Sequence, residues 1–246
     1  MRAPSGRADA LVMFGATGDL ARKKLFPALY QMAVRRRVDV PIVAVARSEW
    51  TDDELRNYAA EAVRNAIEQV DEGALADLVG RLTMVSGEYT DAATYRALAD
   101  CLQGSDLPVH YLAIPPALFD DVVSGLASVD LNGRSRLVVE KPFGRDLASA
   151  RELNMIIHRS FDEDAVFRID HYLGKESVED LLVFRFANTL LEPVWNRRYV
   201  ASGADHHGGV VRRGGSWRAL RRVGTIRGCH PEPPAAGGGA AGHGPR

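Results

Sequence analysis

The chain has 246 residues, 46% of them apolar, enough to fill a sizeable core in one large or two small domains. Its formal net charge of −1 lacks the basic excess that a nucleic-acid or anionic-membrane partner calls for, so small-molecule chemistry is the better expectation. Only Cys101 and Cys229 are present, without CxxC spacing, and no stretch approaches about 20 apolar residues; no disulfide framework, zinc site or membrane span is expected, and a reducing cytoplasm is.

Residues 1–8 carry Arg2 and Arg7 but no apolar run, and read as a flexible N-terminus. Ala10–Phe14 is apolar throughout and ends in a glycine turn, after which 19–36 carries apolar residues at helical spacing. Ile42–Ala46 is a second apolar strand. Thr51 and Glu54 then form a capping-box pattern, each able to satisfy the other's free amide, and open a helix to about residue 70. Leu82–Ser86 reads as a strand, 91–102 as a helix, 109–114 as a strand, 117–126 as a helix and 137–140 as a buried strand. Asp146 is placed to cap a further helix through 159. This alternation predicts an α/β, doubly wound, Rossmann-type parallel sheet over 9–165, with function at the C-terminal ends of its strands. From 203 to 246 the composition shifts to Gly, Arg, Ala and Pro without periodicity. Such a tail cannot offset its ordering entropy and is expected to be disordered.

Gly15, Ala16, Thr17, Gly18, Asp19, Leu20 and Ala21 follow the first strand and open a helix, as a dinucleotide-binding turn requires. Small residues admit a pyrophosphate to the backbone, and the helix N-terminus supplies aligned N–H donors. The string is GxxGxxA rather than GxGxxG, and a plain tight turn is its structural alternative. Arg47 ends the second strand, where an acidic residue would suit the ribose hydroxyls of NAD and an arginine suits the 2′-phosphate of NADP; a solvated arginine is the alternative. Tyr111 to Pro116 ends a strand on two prolines, and Lys141 ends another immediately before Pro142, a place where a cis bond would turn the lysine into the cleft. The densest string is 168–176. If it turns helical after His171, then His171 and Lys175, at i and i+4, would grip one phosphate. Asp170 is a natural orienting partner for a general base, although a charged helix end is the plainer reading of an isolated pair.

Together GATGDLARKK, VAVARS, HYLAIPP, VVEKPFGRDL, FRIDHYLGKE and LLVFRFANTLLEPVWNR stand in an order that resembles the glucose-6-phosphate dehydrogenase family over about 10–202. The resemblance implies that Gly15 through Arg22 form the cofactor turn, that Arg47 meets the 2′-phosphate of NADP, and that Lys141 lies between nicotinamide and sugar. It further implies that His171 and Lys175 hold the phosphate of glucose 6-phosphate and that Asp170 pairs with a catalytic histidine. That histidine takes the proton of the C1 hydroxyl while C1 gives hydride to NADP, yielding 6-phosphogluconolactone. Residues 166–202 would begin an α+β substrate domain whose large sheet also makes a homo-oligomer.

The match breaks after about Ser202. The family carries its histidine in a segment resembling IRDVIQNHLLQ, and His206, His207, His230 and His243 have none of those flanks. A family-like SVQITMA read one base out of frame gives SGADHHG, the sequence at 202–208, and 229–244 yields to the same treatment of a DVIQNHLLQ-like stretch. A frameshifted tail is therefore expected, with little or no turnover and with apolar residues around 181–186 left uncovered. Alternatives are a non-catalytic NADP-binding remnant and another sugar oxidoreductase that places EKP after a Rossmann sheet.

Overall fold

All five residues of Ile42–Ala46 are buried, and a strand with no wet side belongs in the middle of a sheet covered on both faces. A computed structural model of the chain, which describes residues 6–170 together with 180, 183, 186–190, 193 and 199, shows that arrangement. Six strands, β1 (Ala10–Phe14), β2 (Ile42–Ala46), β3 (Leu82–Ser86), β4 (Pro108–Leu112), β5 (Arg136–Glu140) and β6 (Val166–Ile169), pair in the order β3-β2-β1-β4-β5-β6. Every pairing is parallel. The direction of winding reverses between β1 and β4, which opens a crevice at the C-terminal ends of those two strands.

Helices α1 (Phe26–Val34), α2 (Asp52–Ala66) and α3 (Glu72–Gly80) pack on one face, where Met13, Ile42, Ala44 and Leu82 meet Phe26, Leu29, Leu55, Val63 and Leu78. On the other face lie α4 (Ala92–Cys101), α5 (Phe119–Ser128) and α6 (Leu147–His158), which cover Val12, Phe14, Val45, Leu112, Leu137 and Val139. Right-handed crossovers account for this division, since strands laid down in opposite directions from β1 receive their helices on opposite faces. The same rule leaves the β4–β6 half of the first face without a helix among the described residues. A mainly apolar depression of about 650 Å³ lies there, between α1 and Val109, Tyr111, Val138 and Ile169.

Several elements stand where the sequence puts them. The Thr51–Glu54 capping box opens α2, Asp91 caps α4 by accepting from Ala93 N–H, and Asp146 caps α6 by accepting from Ser149 N–H. Three differ. The helix expected over 19–36 contains a wide π turn at Ala21–Leu25 ahead of α1. Pro27 explains it, because proline has no N–H for the Lys23 carbonyl and its ring crowds that position in a regular helix. The helix expected to run from Thr51 to about 70 stops at Ala66, and α3 begins anew at Asp71, whose carboxylate accepts from Gly73 and Ala74 N–H. Finally, β6 falls past the 9–165 span drawn from the sequence and pairs with β5 at the edge of the same sheet.

By contact the chain divides into 1–182 and 183–246. Within the second unit, Val183 and Phe186 are helical and exposed, and Ala187 N–H donates to the Val183 carbonyl at 2.9 Å. The expectation of a disordered tail over 203–246 lies outside the described residues, as does most of the proposed start of a substrate domain over 166–202. No described helix is long and apolar enough to cross a membrane.

Candidate cofactor site

The crevice begins with Gly15. Its φ of +81° is one that side-chain-bearing residues rarely adopt, and a Cβ there would stand 2.4 Å from the Ala113 carbonyl oxygen. The turn after β1 therefore passes directly against the end of β4. Gly18 N–H donates to the Gly15 carbonyl at 3.0 Å and closes the turn, and Arg22 N–H follows to the Gly18 carbonyl at 3.1 Å as the helix starts. Ala16 and Ala21 are fully buried and seat the turn on the core, while Gly15, Thr17 and Gly18 line the crevice itself.

Arg47 and Ser48, after β2, form a second wall, and Ala113, Ile114 and Pro115, after β4, form a third. Together they enclose about 390 Å³ at the point where the winding reverses. Ser48 Oγ lies 3.0 Å from Thr17 Oγ1 and ties the first wall to the second. Arg47 is exposed and lines the rim of the crevice. Asp19, Leu20 and Arg22 are not part of the lining; they stand in the first helical turn beyond it. Lys23, bonded to Asp19 at 2.8 Å, holds that carboxyl below its usual range, and Arg22 leans over the ring of Tyr58 on α2.

Two lining residues went unremarked in the sequence, Glu88 and Tyr89. Tyr89 is buried, makes an edge contact with Phe14 at 5.9 Å and donates to the Val45 carbonyl at 3.4 Å; burial pushes its hydroxyl pKa up. The signal was positional. Glu88 and Tyr89 follow β3 as Arg47 follows β2, at the edge of the sheet where ligands gather.

The expected catalytic group has a separate place along the same edge. Lys141 and Asp170 follow β5 and β6, and the Lys141 ammonium lies 3.3 Å from the Asp170 carboxylate. The Lys141–Pro142 bond is cis. Gly144 has a φ of +118°, and a Cβ there would meet Ala150 N at 2.6 Å, so the loop after Lys141 folds tightly onto the start of α6. Below it, Tyr111 donates to Glu140 across the β4–β5 pair, and its hydroxyl pKa rises through burial first and that bond second. His171 and Lys175, the expected phosphate grip, lie outside the described residues.

Residues 12–180 match the family model for the glucose-6-phosphate dehydrogenase NAD-binding domain. The chain belongs to the glucose-6-phosphate dehydrogenase family. It is 42% identical over 196 residues to glucose-6-phosphate 1-dehydrogenase 1 of Mycobacterium tuberculosis, covering 80% of this chain and 42% of the relative. The corresponding protein of Rhizobium meliloti is 38% identical over 225 residues, covering 85% of this chain and 46% of that one. Among solved structures, the Mycobacterium avium glucose-6-phosphate 1-dehydrogenase superposes with a TM-score of 0.73 at 45% identity, over 78% of this chain and 42% of that one. A glucose-6-phosphate dehydrogenase in complex with glucose 6-phosphate superposes at 0.72 and 34% identity, over 79% and 43%. The chain thus spans less than half the length of each of these relatives, and the shared part includes the parallel sheet and its crevice.

Proposed function

We propose that this family member binds NADP in the crevice between β1 and β4, with the pyrophosphate against Gly15, Ala16, Thr17 and Gly18. The helix opened by Asp19, Leu20, Ala21 and Arg22 would then point its N-terminus at that anion. The observation that carries the reading is the junction of the Gly15–Gly18 turn with the Arg47 wall at the winding reversal. The missing Cβ of Gly15 lets the turn pass directly against the end of β4, and a guanidinium at the end of β2 suits a 2′-phosphate through paired, charge-assisted bonds. NADP, when bound, accepts hydride from the sugar.

On this proposal the site is one half of that of a family enzyme that oxidises glucose 6-phosphate at C1 to the 6-phospho-1,5-lactone. Lys141 would stand between the nicotinamide and sugar sites, His171 and Lys175 would hold the substrate phosphate, and Asp170 would orient the proton-accepting histidine. The resemblance assigns that histidine to a string absent from 203–246, so the chain as written should bind NADP without turning over sugar.

The test is a fluorescence titration with NADPH and NADH. Arg47→Ala should weaken NADPH by about tenfold or more, the scale of one or two charge-assisted hydrogen bonds, and leave NADH nearly unchanged. Equal losses for both would remove Arg47 from the role.

A further inference from the structure

We propose that Tyr58 of α2 is a positioning residue for the dinucleotide, holding the cofactor turn in its binding-competent form while seating Arg22; the proposal rests on the cofactor reading above. Its hydroxyl donates to the Thr17 carbonyl at 3.0 Å. That carbonyl shares a planar peptide unit with the Gly18 N–H, which donates to the Gly15 carbonyl at 3.0 Å. Both polar ends of one peptide in the turn are therefore fixed, one by α2 and one by the turn itself. A peptide next to glycine has little steric resistance to flipping, because Gly18 accepts backbone conformations that other residues do not. Flipped, the unit would lose both bonds and turn its carbonyl oxygen towards the Gly15 carbonyl, so the turn would open.

The ring is itself held. Trp50 meets it edge-on at 4.9 Å and Phe26 at 6.1 Å, so the hydroxyl is delivered from a wedge of three aromatic rings. Burial raises the hydroxyl's pKa, so it stays protonated and able to donate at neutral pH. Over its outer face lies the Arg22 guanidinium, 5.4 Å from the ring centroid, with Glu61 a further turn along α2 at 4.0 Å from the same guanidinium. Ser48, beside Arg47, lies within hydrogen-bond reach of the Thr17 hydroxyl, so Thr17 is anchored at its carbonyl and at its side chain by two different elements. A turn left loose would bind with an affinity reduced by the fraction of time it spends competent.

The experiment uses the full chain titrated with NADPH and NADH. Tyr58→Phe keeps the ring under Arg22 and removes only the bond to Thr17. It should raise the Kd for both cofactors by the same factor, about two- to tenfold, the scale of one neutral hydrogen bond. Tyr58→Leu, which also removes the face under Arg22, should raise it further. The control is Asp9→Ala at the opposite edge of the sheet, where Asp9 accepts from Asp106 N–H at 2.6 Å and Leu107 N–H at 3.1 Å. It should lower the melting temperature and leave both Kd values alone. Unchanged affinity in Tyr58→Phe, or an equal loss in Asp9→Ala, overturns the positioning role while the cofactor reading stands. Failure of the unsubstituted chain to bind NADPH overturns both.

Discussion

His110 on β4 is fully buried, and its ring is satisfied on one side only. The Leu131 carbonyl, 2.9 Å from Nε2, can only accept, so Nε2 carries the proton and Nδ1 presents a lone pair with no partner among the described residues. Protonating Nδ1 would place a full charge beside Phe14 in the apolar core, and burial accordingly lowers the pKa from 6.5 to about 4. In the unfolded chain the imidazole regains its ordinary value. Between those two values the unfolded state binds the extra proton, so stability falls as the pH falls. The relation predicts a loss of about 2 kcal/mol on going from pH 8 to pH 5, and about 3 kcal/mol by pH 4. Carboxylates held below their ordinary range, such as Asp9 and Glu72, keep their stabilisation above the ordinary carboxylate value and lose it as the pH falls from there through the lowered one. The window above pH 5 therefore lies largely clear of those carboxylates, and a His110 variant separates this ring from the other histidines. Urea unfolding followed by circular dichroism at pH 8, 6 and 5 should show the slope in the unsubstituted chain. In His110→Leu the slope should flatten, at a cost at pH 8 of about 1–3 kcal/mol for the orphaned Leu131 carbonyl. If the two proteins lose stability in parallel between pH 8 and 5, or if the His110 ring titrates near 6.5 by NMR, the reasoning fails.

Gly15→Ala should abolish measurable NADPH binding, because its Cβ would stand 2.4 Å from the Ala113 carbonyl at a φ of +81°; an alanine variant that binds normally would show that the turn can move away from β4. Gly125→Ala drives a Cβ to 2.0 Å from the buried ring of Tyr95, whose hydroxyl is tied to the Tyr89 carbonyl at 2.7 Å and cannot swing clear. Overpacking of this kind costs about 1–3 kcal/mol, so the melting temperature should fall by roughly 2–12 °C, and an unchanged melting curve would mean that α4 and α5 separate freely.

The parts of the fold legible in the sequence were those written in short-range code. β1 and β2 are nearly unbroken apolar runs because both of their faces are covered, and the caps at Thr51 and Asp146 each need only three or four adjacent residues. The helix α3 escaped because Gly73 and Gly80 dilute its apolar pattern, and only the Asp71 cap marks its start. The π turn escaped because its cause, Pro27, acts on the turn before it. In the crevice, Gly15 and Arg47 were legible because a glycine turn and a strand-end charge carry their chemistry locally. Tyr89 reaches Val45 of β2 from 44 residues away and Tyr58 reaches Thr17 of the glycine turn from 41, and no local pattern announces such contacts.

The Lys141–Asp170 pair shows how register makes a site from residues that the sequence keeps apart. As a sequence, Asp170 belongs to a charged string and suggests a partner for a histidine. β6 was not expected in the sheet, so nothing in the linear pattern connects Asp170 with a lysine 29 residues earlier. Once β6 lies parallel to β5 with Glu140 opposite Ile169, the residues that follow each strand, Lys141 and Asp170, leave the sheet side by side. Lys141 N–H donates to the Ile169 carbonyl at 3.3 Å and continues the ladder by one bond before cis Pro142 ends it. Arg168, one residue before the end of β6, is in turn fixed by Glu163 at 2.8 Å and Asn154 at 2.6 Å, so the edge strand that carries Asp170 is pinned to the segment beside it. The Lys141 side chain is about half exposed, and such a pair contributes little net stability. What the register secures is placement, with an ammonium and a carboxylate held together at the sheet edge where the resemblance puts the sugar.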